Sequence, residues 1–398
     1  MRILLCHQPT DGGVGRHISD LVVGLSAEGH EVTLCSPEVP RGLRQPVDHV
    51  HLDLKRAIAP RDDLTALRQL VRITRSVRPD VIHAHSSKAG AIVRLAKVFS
   101  PRLPVVYTPH GYSFAGYFSR SAERSTYRAV ERVLAPLADR VVCVCEAEAQ
   151  LARSVGPASR VRVVHNGIDP AGDGAVDPRI AELSERGPVL GALTLLRPGK
   201  GLQTLIAALP SVLADHPNAQ VAIVGDGPDL DELTAQARAA GVSHAVHFLG
   251  PSDDPLSALR GMDVFVHPSW AESFPYVILE AMSLARPIVA SRVGGIGEAI
   301  HDGESGLLTP PRDEQRLSQA LRQMLESPSR AEQLGEAARR RVLARFTTTA
   351  MIDRLVDVYE QTLRHPVSLH GPASIPDSLP ARTAPLPAEH DVRADRER

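Results

Sequence analysis

The sequence is short of the features that mark the simplest function classes. It has 4 Cys, 1 Trp and 4% aromatic residues in 398 positions, and 45 Lys+Arg nearly cancel 46 Asp+Glu. That balance argues against a general nucleic-acid binder, and 43% hydrophobic residues exclude a wholly disordered chain. The longest apolar runs, such as Val141 to Cys145, fall far below the roughly 18–20 residues that span a bilayer. The start, Met1-Arg2-Ile3-Leu4-Leu5-Cys6-His7, carries one charge and an apolar stretch too short for a signal-peptide core, so it reads as a buried strand. Cys6, Cys35, Cys143 and Cys145 lie in short apolar runs with no CxxC pair, the pattern of buried thiols in a reducing cytoplasm. No His/Asp/Glu cluster has metal-ligand spacing. The nearest, His83 and His85, sits at a strand-to-loop junction without neighbouring acids, so no metal is expected. No Ser/His/Asp order suggests a hydrolase.

The neutral total conceals an asymmetry. Residues 1–170 hold 23 Lys+Arg against 16 Asp+Glu, and the remainder holds 22 against 30. The two halves therefore face different partners.

In the first half, Val/Ile/Leu runs at 2–6, 31–35, 80–84, 104–108, 140–145 and 161–164 alternate with helix-length segments such as 15–28, 62–78, 88–99 and 120–138. Continuous rather than alternating apolar strands imply a parallel sheet covered on both faces, hence a doubly wound α/β domain over 1–170. Residues 171–187, rich in Gly, Pro and Asp, read as a linker. Apolar runs at 188–196, 220–224, 245–249, 263–266 and 287–290 then restart the pattern, predicting a second such domain over 188–345. A helix over 346–365 is expected to return to the first domain. Residues 366–398 hold six prolines and no Phe, Tyr or Trp, and are expected to be disordered. Two α/β domains of this kind face each other across a cleft at their strand ends, where ligands of open sheets bind.

Asp11-Gly12-Gly13-Val14-Gly15-Arg16 follows the first strand and opens a helix. Gly12, Gly13 and Gly15 suit close approach of a phosphate or sugar, but also a plain tight turn. The fit to a dinucleotide fingerprint is poor: Ile18 takes the third-glycine place, and the second strand ends at Ser36 without an acid. The segment His267 to Met282 contains Glu272 in a loop and Glu280 one turn into the next helix. Between them the amides of Ser273, Phe274 and Tyr276 can face a diphosphate, whereas Pro275 cannot donate. Alone, the pattern is equally that of two surface glutamates flanking a core helix.

Glu272 and Glu280 form an E-x7-E motif. It is followed by Arg286-Pro287-Ile288-Val289-Ala290 and Gly294-Gly295-Ile296-Gly297-Glu298, and preceded by Val224-Gly225-Asp226-Gly227-Pro228 and Leu196-Arg197-Pro198-Gly199-Lys200-Gly201. Over residues 1–365 the chain resembles the retaining GT-B glycosyltransferases of family GT4, of the exopolysaccharide or glycolipid type. The resemblance implies a GT-B fold of two Rossmann-like domains, a nucleotide-diphosphate sugar as donor, and no bound metal or other cofactor. It implies that Glu272 contacts the transferred sugar, Glu280 the ribose and Lys200 the diphosphate. It also places Gly225 and the Gly12, Gly13 and Gly15 loop in the donor site, and makes His110 a sugar or acceptor contact. A lone histidine would otherwise be structural. The family's arginine five residues before the lysine is Leu195 here, and Arg197 is the candidate substitute. His165-Asn166-Gly167-Ile168-Asp169 matches the segment before the linker and reads as a hinge.

The acceptor is expected on the positive N-terminal half. Arg68, Arg72 and Arg75, and Arg120, Arg124, Arg128 and Arg132, recur at helical spacing. Between them, Tyr112-Ser113-Phe114-Ala115-Gly116-Tyr117-Phe118 holds four of the 14 aromatics. A rim of Tyr112, Phe114, Arg120, Arg124 and Arg128 would suit a lipid-linked or glycan acceptor and peripheral attachment to an anionic membrane, at its cytoplasmic face. A solvated basic face beside a packed loop is the plain alternative. The expected activity is retaining glycosyl transfer in cell-envelope or exopolysaccharide synthesis. A GT-B-like nucleotide-sugar 2-epimerase and a degenerate sugar-nucleotide-binding partner subunit are the competing readings.

Overall fold

A computed structural model describes residues 1–55, 59–115 and 121–365. The N-terminal sheet is parallel and comprises Arg2–His7 (β1), Glu31–Ser36 (β2), Asp48–His51 (β3), Val81–His85 (β4), Val105–Thr108 (β5), Arg140–Cys143 (β6) and Val161–Val163 (β7). Their order is β3-β2-β1-β4-β5-β6-β7. The second sheet, also parallel, comprises Val189–Leu193 (β8), Gln220–Val224 (β9), Val246–Gly250 (β10), Val264–His267 (β11), Ile288–Ser291 (β12) and Leu307–Thr309 (β13), in the order β10-β9-β8-β11-β12-β13.

Successive residues of a strand feed opposite faces of the sheet, which is why the strands read as unbroken apolar runs. Leu4 and Cys6 of β1 pack under helices Pro60–Val77, Ser87–Ala96 and Glu146–Val155. Ile3 and Leu5 pack under helices Gly12–Ala27 and Thr348–Arg364. In the second sheet Leu190 and Ala192 meet helices Leu202–Asp215 and Glu314–Glu326, while Val189 lies on the opposite face with Pro178–Ser184 and Tyr276–Ser283.

Strand order reverses between β1 and β4 in one sheet and between β8 and β11 in the other. Loops leaving the carboxyl ends of those strands form the crevice in such folds. They carry Gly12 to Arg16, Ser86, the 194–201 segment and the 268–275 segment.

The backbone crosses between domains twice, side by side. Ile168 N–H donates to the Phe346 carbonyl at 2.9 Å, and Thr348 N–H donates to the Ile168 carbonyl at 3.1 Å. Beyond the second crossing, helix Thr348–Arg364 buries Met351, Ile352, Leu355, Val358 and Tyr359 in the N-terminal core.

The 171–187 segment differs from a plain linker. Helix Pro178–Ser184 lies within it, with the Asp177 carboxylate accepting from Arg179 N–H at 2.9 Å and Pro178 in the first turn. Ile180 and Leu183 are buried in the second domain. An Asp-Pro start and two apolar residues build a short helix from a segment whose composition suggests none. The 366–398 segment lies outside the described residues.

Candidate active site

Glu272 follows β11 on a loop that neighbouring backbone holds closely. Trp270 N–H donates to the Gly199 carbonyl at 2.8 Å, and its indole donates to Thr204 Oγ1 at 3.0 Å. Gly201, at φ 71°, lies against the Pro268 carbonyl, where a Cβ would collide. These contacts bring Lys200 under the loop. Its Nζ donates to Glu272 Oε1 at 2.6 Å, and His267 Nε2 donates to the same oxygen at 3.1 Å. Burial pushes the Glu272 carboxyl up, but Lys200 and His267 outweigh it and hold the group well below the usual carboxylate range. Glu272 is thus an ionised group in a shielded site, with a primary ammonium at hand.

The opposite wall comes from the N-terminal domain. Nothing lies close above Gly12 and Gly13, so their backbone is open, whereas Gly15 is pressed against the Thr10 carbonyl. Arg16, one residue on, donates to Asp20 at 2.9 Å and places Nη1 3.7 Å from Glu280 Oε1 across the cleft. Burial raises the Glu280 carboxyl, Arg16 opposes the rise and Asp20 adds to it. His17 Nδ1 and the Tyr276 hydroxyl form a second cross-cleft hydrogen bond at 3.0 Å.

His110, two residues beyond β5, adopts φ 54°. Its Nε2 is 3.0 Å from His85 Nδ1 at the end of β4. The following Gly111 N–H donates to Glu148, whose other oxygen accepts from Val144 N–H at 2.8 Å. Burial pushes Glu148 up to about 7. His7 and His17 are pushed down to about 4 by burial, and His83, His85 and His110 lie well below the ordinary imidazole value for the same reason. The cleft floor is therefore lined by neutral imidazoles at neutral pH.

Of the residues singled out from sequence, Glu272 and Lys200 are in direct contact, and Glu280, Tyr276 and His110 are engaged in the cleft. Ser273 adjoins them; its carbonyl accepts from Gly295 N–H at 2.6 Å. Gly225, at φ 139°, lies against the Thr194 carbonyl and supports the loop carrying Arg197. Leu195 is 55% exposed. Arg197 is exposed as well and has no side-chain hydrogen bond or ion pair among the described residues.

Of the expected aromatic rim, Tyr112 and Phe114 turn inward, and Tyr117 and Phe118 lie outside the described residues. Tyr112 and Phe114 are 2% and 9% exposed, stacked on each other at 4.9 Å within the N-terminal core. Their apolar rings are worth more buried under the sheet than displayed to solvent. Arg128 is exposed, with its guanidinium 5.9 Å from the Phe114 ring centre, and Arg124 is exposed. Arg120 lies outside the described residues. Phe274 is also core: its ring packs between His165 and Phe346, and its carbonyl accepts from Asn166 Nδ2 at 2.8 Å.

Spacing alone discloses no metal cluster, but the fold gathers His17, His85 and His110, with one ligand atom of each within 4.8 Å of the others. His83 does not join them: Nδ1 is 2.7 Å from the Tyr359 hydroxyl and Nε2 is 2.8 Å from Thr108 Oγ1. Arg16, His17, His267, Glu148 and Glu298 are site or cleft residues that sequence reasoning passes over. Arg16 and His17 directly follow the glycine loop, and Glu298 closes the Gly294-to-Glu298 motif. Glu148 has no local signature. Glu298 accepts from Glu146 N–H at 2.8 Å and from His165 Nε2 at 2.8 Å, so it fastens the two domains together.

Two facing parallel-sheet domains with a cation and carboxylate paired at the switch-point loops define the class: a two-domain enzyme of GT-B architecture. Residues 176–341 match the family described as glycosyl transferases group 1, and residues 11–171 match glycosyltransferase family 4. The chain belongs to this glycosyltransferase family. It is 30% identical to the glycogen synthase of Mycobacterium tuberculosis over 384 residues, 87% of this chain and 91% of that one. It is also 30% identical to the phosphatidyl-myo-inositol mannosyltransferase of Mycolicibacterium smegmatis, over 90% of this chain and 94% of the relative. Among solved structures it shares its fold with Anabaena HepE in complex with UDP-glucose, at TM-score 0.78 and 24% identity, covering 91% of this chain and all of that one. No helix among the described residues is long and apolar enough to cross a membrane.

Proposed function

We propose that the protein moves a sugar, with retention of configuration, from a nucleotide-diphosphate sugar to a lipid-linked or polysaccharide acceptor in cell-envelope or exopolysaccharide synthesis. The observation that carries this reading is the half-buried Lys200–Glu272 pair. The bond from the sugar's anomeric carbon to the diphosphate oxygen breaks, and a bond to an acceptor hydroxyl oxygen forms on the same face. The hydroxyl proton goes to the departing diphosphate. Lys200 meets the charge that grows on the leaving group, Arg197 adds a second cation from solvent, and Glu272 holds the transferred sugar. Glu280 is placed for the ribose hydroxyls, the open Gly12 and Gly13 amides for the phosphates, and His110 for the sugar. Fixed cations do the work of a divalent ion, so transfer needs neither metal nor other cofactor.

The relatives' activities, glycogen synthesis and mannosyl transfer to phosphatidyl-myo-inositol, agree with a glycan or lipid-linked acceptor. Helix Ser121–Leu134 supports a membrane-surface location at the cytoplasmic face. It exposes Arg124, Arg128 and Arg132 at i, i+4 spacing beside Ala122, Ala129, Val130 and Val133, a basic and apolar combination suited to anionic head groups. Vesicle flotation tests this. Wild type is expected to prefer anionic vesicles, and R124E/R128E/R132E to lose that preference; equal flotation of the two removes the membrane part.

Mass spectrometry across UDP-, GDP- and ADP-sugars and an acceptor panel tests the transfer itself. Turnover with one donor class in the presence of EDTA, an anomer-retained product, and large losses in E272A and K200A are expected. Near-normal turnover in both variants would falsify the site assignment. The exposed Leu195 in place of the family arginine favours one second reading, a sugar-nucleotide-binding partner subunit. Donor binding without turnover, restored by a partner protein, would establish it.

A further inference from the structure

We infer that His17, His85 and His110 form a binding site for a borderline divalent transition metal of the Zn2+ class in the cleft floor, and that its occupation blocks sugar transfer. The blocking half rests on the reading of His110 as a sugar contact; the binding half rests on geometry alone.

The three imidazoles come from separate segments that topology brings together. His85 ends β4, His110 follows β5, and His17 lies in the helix after β1; β1, β4 and β5 are consecutive in the sheet. One ligand atom of each lies within 4.8 Å of the others. His85 Nδ1 and His110 Nε2 are 3.0 Å apart, whereas two nitrogens bound to one tetrahedral zinc are about 3.3 Å apart, so a few tenths of an ångström admit an ion. The His17 ring stands edge-on to His110, with centroids 4.6 Å apart.

One further feature suits a metal. His17 Nδ1 is tied to the Tyr276 hydroxyl. When Nδ1–H donates to that oxygen, the Nε2 lone pair is freed, and this is the outer hydrogen bond that metal-binding imidazoles characteristically have. His85 is fully buried and turns Nδ1 to the site, and its Nε2, on the other side of the ring, has no hydrogen-bond partner among the described residues. An all-nitrogen donor set selects Zn2+, Co2+, Ni2+ or Cu2+ over Mg2+ and Ca2+. Three protein ligands leave a fourth position for water, and half-buried His110 opens it to the cleft. An ion there takes the His110 nitrogen away from the sugar.

Titration of the full chain with Co2+, read by its visible d–d absorption, tests the site without reference to activity. The expected result is one saturable equivalent, displaced by Zn2+ and not by Mg2+. H17Q and H85Q should each weaken it at least about tenfold, and Y276F, which keeps all three imidazoles, should weaken it about tenfold through the lost outer hydrogen bond. Thermal unfolding in chelator identifies any variant that fails to fold, in which case Y276F carries the comparison. Absence of saturable binding, or wild-type affinity in the folded variants, overturns the site. Zn2+ should inhibit transfer at the occupancy midpoint, with relief by chelator, and occupancy without inhibition overturns the blocking half. If Co2+ binds as expected but no donor is turned over, the proposed function fails while the metal site stands.

Discussion

Lys200 and Glu272 are each difficult to bury alone and tolerable together. Lys200→Ala leaves the Glu272 carboxylate with His267 as its remaining hydrogen-bond partner among the described residues. It should cost about 3 kcal/mol of stability and lower turnover by about 100–1000-fold, measured by urea denaturation and steady-state kinetics. A second residue-scale expectation concerns protons. His7, His17, His83, His85 and His110 have folded values below the ordinary imidazole value, with His7 and His17 at about 4. The unfolded chain therefore binds more protons through that window, and stability falls as pH drops from about 6.5 towards 4. Glu148 acts in the opposite sense. Its value rises from 4.5 to about 7 on folding, so its contribution declines as pH rises across that interval, by on the order of 3 kcal/mol. Glu148→Gln should abolish that opposing slope. Midpoints of unfolding for both proteins between pH 4.5 and 7.5 give the difference, and parallel curves would show that Glu148 does not titrate there.

Among the elements, legibility followed burial. The two-domain α/β organisation could be read because central strands such as Arg2–His7 and Gln220–Val224 are covered on both faces and thus continuously apolar. Strand Asp48–His51, at the sheet edge with the sequence DHVH, carries no such run, and Leu307–Thr309 is too short to stand out. Helix Thr348–Arg364 docks where helix Gly12–Ala27 offers no side chain: a Cβ on Gly24 would meet the Ile352 side chain. Gly24→Val should therefore cost about 2 kcal/mol by overpacking. Adding Ile352→Ala should recover part of that loss although it is destabilising alone, a coupling that a double-mutant cycle in denaturant measures. Additive losses would mean that the two helices do not meet there.

At the scale of the whole molecule, the site divides along the same line. Glu272, Glu280 and Lys200 were legible because each lies in a motif of one chain segment. The cross-cleft contacts of Arg16 and His17, and the gathering of three histidines, depend on how sheets and domains dock, which local spacing does not encode. Docking rests on few polar contacts, and Glu298 makes several of them. Its carboxylate caps the start of helix Glu146–Val155 through the Glu146 and Ala147 amides and accepts from His165 beside the hinge. Those amides lie at the positive end of the helix dipole, so the carboxylate is favoured there by charge as well as by hydrogen bonding. Glu298→Ala removes a cap worth about 1 kcal/mol, which shifts the ratio of closed to open molecules about fivefold if the open form lacks these contacts. On the proposed function, closure brings the imidazoles of one domain to the Lys200–Glu272 pair of the other, so kcat should fall and the donor KM rise together, while the unfolding midpoint of the N-terminal domain changes little. Steady-state kinetics with small-angle scattering at matched donor concentration checks this. A loss of kcat with unchanged KM and unchanged radius of gyration would assign Glu298 to the chemistry instead of to closure.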